Sequence, residues 1–134
     1  MIPSREEMLK KFLEDYKKAI FDAISIDKKS FEQYSILLDE LKVAGDDISA
    51  RLVFSVAAQQ PKGLRGFEIA VLFTDDQDEM CDFTRAYIDL NNKKANEKIY
   101  GEIYLPQNMN DIKKIKVSLT NLITEDEVLA EEEN

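Results

Sequence analysis

Apolar residues recur at steps of three and four through the first part of the chain: Met8, Leu9, Phe12, Leu13, Tyr16, Ala19, Ile20, Ala23 and Ile24. That is the period of one face of an α-helix. Ser4 followed three residues later by Glu7 has the spacing of a capping box. Together they predict an amphipathic helix from about residue 4 to 24. Lys10, Lys11, Glu14, Lys17 and Lys18 fall on the other face, with Glu7–Lys11 and Glu14–Lys18 set for i,i+4 pairs. An apolar stripe of this length has to be covered by something.

Residues 30–44 support two readings. Phe31, Tyr34, Leu37, Leu38, Leu41 and Ala44 fit one helical face, opened by Ser30 and closed by Gly45. Tyr34, Ile36 and Leu38, then Leu41 and Val43, also form two alternating runs interrupted at Asp39-Glu40. Periodicity alone favours the helix. From residue 48 the period changes to two. Ile48 to Ala58 is rich in β-formers, and Pro61, Gly63 and Gly66 supply a turn. Phe67, Ile69, Val71 and Phe73 then share one face of a strand that closes in the polar turn Asp75 to Glu79. Phe83 to Leu90, Ile99 to Leu105 and Ile112 to Ile123 complete five strands at hairpin spacings. No connection among them has βαβ length, so the sheet is expected to be antiparallel.

The chain has 134 residues, enough for one domain with its own core. It contains no His and one Cys. That removes imidazole triads and proton shuttles, His- or Cys-rich zinc sites, CxxC redox chemistry and any intrachain disulfide. The net charge is −9, but its distribution matters more than its size. Glu125 to Asn134 carry six acids and no base, whereas residues 48–124 carry ten of each. Most of the excess thus belongs to a terminal segment expected to be a disordered acidic tail. No basic stripe exists to release phosphate counterions, so nucleic acid is excluded as an expected partner. No run approaches the roughly 20 apolar residues of a membrane span. The opening residues lack the apolar core of a secretory signal, so a cytoplasmic, membrane-free protein is expected, unless a signal has been removed.

Candidate chemistry is sparse. Asp75, Asp76, Asp78, Glu79 and Asp82 form the densest set of oxygen ligands, of the kind a hard cation takes. They lack the order of a calcium loop, so Asp75, Asp76, Asp78 and Asp82 are weak metal candidates, and a solvated hairpin turn whose acids deter edge pairing explains them better. No metal and no cofactor are expected, and no residue is assigned a catalytic role. Cys81 flanks this turn, where carboxylates would raise its thiol pKa, and is expected to be a small packing residue. Tyr100 and Tyr104 have the same parity on one strand and point to the same side. With Phe12 and Tyr16 of the first helix they are the candidate interaction residues, since exposed aromatic patches mark interfaces.

Residues 41–122 resemble the bacterial immunoglobulin-like modules called FxLYD-type domains. Leu41 to Val56 matches the first hairpin, and Gly66 to Asp75 the signature strand, with Phe73-Thr74-Asp75 where the family favours Phe-Tyr-Asp. Lys98 to Pro106 and Ile115 to Leu119 match the closing strands. Thr74 departs from the usual Tyr, and the turn Asp76 to Glu79 lacks the usual Gly. The family is typically exported, and this chain shows no export signal. The resemblance implies a non-catalytic interaction module, and it makes residues 35–44 a strand.

These readings converge on an α+β protein: an N-terminal amphipathic helix, possibly a second helix, an antiparallel immunoglobulin-like β-sandwich and a disordered acidic tail. One domain is expected over residues 1–124, helical to 29, ambiguous over 30–47 and antiparallel β over 48–124, with the tail at 125–134. The expected function is a non-enzymatic protein-binding or structural module acting on a protein partner or by self-association. The alternative is a small acidic inhibitor or immunity-type protein that blocks a basic site on a partner.

Overall fold

The computed structural model describes residues 2–125. The hydroxyl of Ser4 accepts a hydrogen bond from the Glu7 N–H at 3.1 Å, satisfying one of the free donors at a helix start. From that cap, helix α1 runs over Arg5–Asp22. Its one intrahelical ion pair among the described residues is Lys18–Asp22, at 3.4 Å, and not the two pairs that the spacing predicts.

The helix stops short of Ile24. Ile24–Ile26 instead forms a short strand, β1, and Lys28–Glu32 a single helical turn and a half, α2. Strand β1 lies parallel to the last strand, β7 (Lys114–Thr124), with Ile24 beside Ile115 and Ile26 beside Val117. This corrects two expectations, the unbroken helical segment to residue 29 and the wholly antiparallel sheet. Two β-branched residues on either side of Ser25 complete the edge of β7 better than they extend a helix.

Residues 36–44 form a strand, β2 (Ile36–Ala44), so the helical reading favoured by periodicity is overturned. The cause is a β-bulge. Asp39 pairs with Ser55 and Lys42 with Val53, so Glu40 and Leu41 together oppose Phe54 alone. Glu40 sits at φ +50°, the left-handed conformation that lets the extra residue fit. The inserted residue keeps Leu38, Leu41 and Val43 all on the core side. It also produces the step of three that looks helical in the sequence.

Strands β3 (Arg51–Ala58), β4 (Leu64–Thr74), β5 (Met80–Asp89) and β6 (Ile99–Tyr104) follow, close to their expected places. Two sheets result, one ordered β1-β7-β4-β5 and the other β2-β3-β6. Every pairing other than β1 with β7 is antiparallel. Phe67, Ile69, Val71 and Phe73 of β4 are fully buried, as their shared parity predicts. Across the ladder, Ile69, Val71 and Phe73 face Leu119, Val117 and Ile115 of β7. Leu52, Phe54 and Val56 of β3 and Ile103 of β6 close the same core from the other sheet. Burying a side chain such as Phe73 contributes roughly 1.5–3 kcal/mol, and truncating it to Ala would cost about 3–5 kcal/mol.

The helices plug one seam between the sheets: α1 packs on β2, and α2 on both β2 and β7. Ile20 and Phe31 are their buried anchors. At the opposite seam, the edge strands β5 and β6 lie side by side. The expected acidic tail lies outside the described residues except for Glu125, whose N–H bonds to the Gly63 carbonyl at 3.0 Å.

Candidate interaction surface

Helix α1 buries little of its apolar stripe. Ile20 is 5% exposed and anchors the last turns, while Met8, Leu9 and Phe12 are 56%, 58% and 52% exposed. Tyr16 marks the boundary: it is half-buried, and its ring stacks on Phe12 with centroids 6.2 Å apart and planes 24° from parallel. Desolvation, and then the negative charge of Asp47, pushes the Tyr16 hydroxyl pKa above its ordinary value. Asp47 belongs to the β2–β3 loop, where Ile48 is 73% exposed. Ile48 is therefore not the first residue of a strand, as its sequence neighbours suggest. No pattern in the sequence marks it as a surface group, because an apolar residue opening a β-rich run looks like any other strand position.

Tyr100 and Tyr104 lie on the outer face of the three-stranded sheet, 70% and 61% exposed. Four residues apart on one strand, they stand roughly 13 Å from each other. Glu102 sits between them. The Arg51 Nε atom lies 3.0 Å from its carboxylate but makes no directed hydrogen bond, so that contact is coulombic. Nearby, Lys98 Nζ donates to Glu40 at 2.8 Å, which raises the lysine pKa. A shallow depression of about 540 Å³ runs from Glu40 and Lys42 across Val53 to Tyr100 and Glu102. Strand β6 and helix α1 attach at opposite edges of this sheet. The structure thus unites Phe12 with Tyr16 and aligns Tyr100 with Tyr104, but it does not bring the two pairs together.

The acidic residues disperse. Asp75 Oδ1 accepts the N–H groups of Gln77 and Glu79 at 2.9 and 3.0 Å and so closes its own hairpin. Asp78 pairs with Lys114 at 2.6 Å, and Asp82 accepts the N–H of Phe83 at 2.8 Å. Asp75, Asp76, Asp82 and Asp111 line one groove of about 790 Å³ together with Cys81. Among the described residues, no three acidic or thiol side chains come together in a way that holds a metal ion. Cys81 is exposed, which corrects its expected packing role. Local desolvation, then Asp75, Asp111, Asp82 and Glu79, push its thiol pKa up. This setting disfavours the thiolate that a nucleophile needs.

No described helix is long and apolar enough to cross a membrane. No protein-family model matches the chain, and neither a curated protein nor a solved structure matches it significantly.

Proposed function

We propose that the chain is a non-enzymatic protein-binding or structural module built on an immunoglobulin-like sandwich. One observation carries the binding reading: half of a capped, five-turn amphipathic helix leaves Met8, Leu9 and Phe12 in water. Exposed apolar side chains on a rigid helix cost solubility and are kept where a partner covers them.

Strand order supports the immunoglobulin-like part. Such folds place strands A, B and E in one sheet and C, F and G in the other, with C′ added beside C in variable types. Here β2, β3 and β6 take the places of A, B and E, while β4, β5 and β7 take those of C, C′ and F. The G position beside β7 holds β1 instead, running parallel. The Phe73-Thr74-Asp75 run falls where β4 enters its hairpin, a position that supports the FxLYD reading.

The test is capture of proteins from native extract at high salt by the intact chain and by a Leu9→Glu/Phe12→Glu variant. Both substitutions sit on exposed positions, and circular dichroism checks that the fold is kept. A partner, or a second copy, retained at high salt and lost in the variant supports the reading; nothing retained by either protein sinks it.

The acidic groove of Asp75, Asp76, Asp82 and Asp111 favours a second reading, an inhibitor that occupies a basic site. Such association would weaken steeply with salt, because exposed charges are screened over roughly 8–10 Å near physiological ionic strength. It would also survive the helix substitutions.

A further inference from the structure

The two sheets end in four edge strands, β1, β2, β5 and β6. An edge presents unpaired N–H and C=O groups, and folded chains normally blunt it. Three of the four are blunted here. Strand β1 has only three residues, and β2 carries the bulge at Glu40 and packs against α1 and α2. In β5 the pairing with β4 skips Cys81, a second bulge, and the Asp82 carboxylate accepts the N–H of Phe83 at 2.8 Å. Strand β6 has none of these devices: Ile99–Tyr104 contains no Pro and no Lys, and its register with β3 is unbroken.

Hydrogen-bond parity shows which groups β6 offers. The N–H of Leu105 donates to the Ala50 carbonyl at 3.0 Å, which continues the β3–β6 register by one pair. In an antiparallel ladder, directly bonded pairs alternate with unbonded ones. Ile103, Gly101 and Ile99 therefore bond to β3, and the N–H and C=O groups of Tyr100, Glu102 and Tyr104 point away from it. Strand β5 lies beside that edge but does not pair with it. A groove of about 380 Å³ runs between them, lined by Ala86, Tyr87 and Ile88 of β5 and by Ile99, Tyr100 and Glu102 of β6.

We propose that the free edge of β6 docks an extended basic peptide of a partner protein, which adds as a further strand to the β2-β3-β6 sheet. Strand addition uses a row of outward N–H and C=O groups two residues apart, and alternate side chains then set specificity. Tyr100, Glu102 and Tyr104 share the outer face, so the added strand sets one side chain beside Glu102 and its neighbours at two residues either way beside the tyrosines. Arg51 lies against Oε2 of Glu102 without a directed hydrogen bond, and the carboxylate is half-exposed, open to a Lys or Arg of the partner. The net charge of −9 steers such a cation inward. Aromatic or β-branched residues suit the places beside Tyr100 and Tyr104. A second copy fits worse, because β6 paired antiparallel on β6 about Glu102 sets two like charges opposite each other. The inference rests on the binding-module reading and gives it a partner at a surface separate from α1.

The experiment pans a phage-displayed library of random peptides on the full chain, then follows amide hydrogen exchange with the enriched peptide bound. Enriched sequences should carry Lys or Arg with aromatic or β-branched residues two places to either side. In the free chain the amides of Tyr100, Glu102 and Tyr104 should exchange fast and those of Gly101 and Ile103 slowly. The peptide should slow the first set roughly tenfold or more and leave the second unchanged. Glu102→Pro removes an outward donor and no bond to β3, a change that edge strands tolerate, and should abolish binding. Glu102→Lys keeps every edge donor and should weaken the same peptide about fivefold or more, which decides the matter if the Pro variant does not fold. No enrichment of alternating basic sequences, binding that survives both substitutions, or protection of other amides instead would overturn the proposal. So would edge amides that become protected as the free chain is concentrated, which would seat a second copy there. Leu9→Glu/Phe12→Glu should bind the peptide unchanged, so a failure at α1 and a failure at β6 are told apart.

Discussion

The Ser30 hydroxyl accepts a hydrogen bond from the backbone N–H of Leu119 at 2.9 Å, joining α2 to a strand 89 residues further along the chain. The same hydroxyl donates to the Asp27 carbonyl at 2.7 Å, so its donor and one acceptor site are both used. It stands where β1 has ended and β7 would otherwise present an unpaired donor. Ser30→Ala should therefore leave a buried N–H without a partner and destabilise the fold by about 1–3 kcal/mol. Urea unfolding followed by circular dichroism measures this as a lower midpoint at unchanged slope. An unchanged midpoint would mean that water reaches the Leu119 amide.

Gly101 owes its identity to Phe54. A Cβ on Gly101 would lie 2.7 Å from Phe54 Cζ and 2.8 Å from Phe54 Cε2, closer than carbon atoms tolerate, with Ile88 Cδ1 in tight contact at 3.3 Å. Phe54 is buried in the core and has little freedom to retreat. Gly101→Ala should cost about 1–3 kcal/mol through overpacking. Phe54→Leu removes the ring atoms in conflict, so adding it to Gly101→Ala should cost less than adding it to the wild type. A double-mutant cycle reads this coupling directly, and additive effects would contradict the steric account.

Much of this fold was legible because local chemistry and tertiary position agree. Ser4 caps α1 whatever the helix packs on, and Phe67, Ile69, Val71 and Phe73 alternate because β4 has one face in the core. Strand β2 was not legible as such: the bulge at Glu40 converts a period of two into a step of three, and only pairing with β3 reveals it. Strand β1 has three residues and a partner near residue 115, so no local window contains the reason for its existence. Cys81 lies on an edge strand that is open to solvent through most of its first half, and edge position is a property of the sheet. The parity of Tyr100 and Tyr104 could be read from the strand, whereas their separation from Phe12 depends on which edge of the sheet each element joins.

The β2–β3 loop should carry acid sensitivity. Asp46 Oδ1 accepts the N–H groups of Ser49 and Ile48 at 2.8 and 2.9 Å, and the Ser49 hydroxyl at 3.1 Å. The Ser49 N–H first, then that of Ile48 and the hydroxyl, hold the carboxyl below its ordinary pKa. A folded-state pKa below the unfolded one contributes stability above the ordinary carboxylate range, and this is lost as pH falls through the folded value. Asp46→Asn keeps an acceptor oxygen and removes the charge. Its Tm should fall below that of the wild type near neutrality, and the two should converge in acid. Parallel Tm curves across the whole range would show that the charge of Asp46 does not contribute.

Cys81 offers a direct reading of the field in the acidic groove. Local desolvation and the charges of Asp75, Asp111, Asp82 and Glu79 all act against the thiolate, which is the form that reacts with alkylating agents. At mildly alkaline pH, Cys81 should therefore react with iodoacetamide more slowly than a free cysteine, despite its exposure. Asp111→Asn takes one charge from the groove and should speed the reaction, and so should added salt, which screens the rest. Asp22→Asn makes the same change in net charge at the end of α1 and should leave the rate unchanged. Equal acceleration by both substitutions would assign the effect to the net charge of the protein, and no acceleration by Asp111→Asn would leave desolvation alone as the cause.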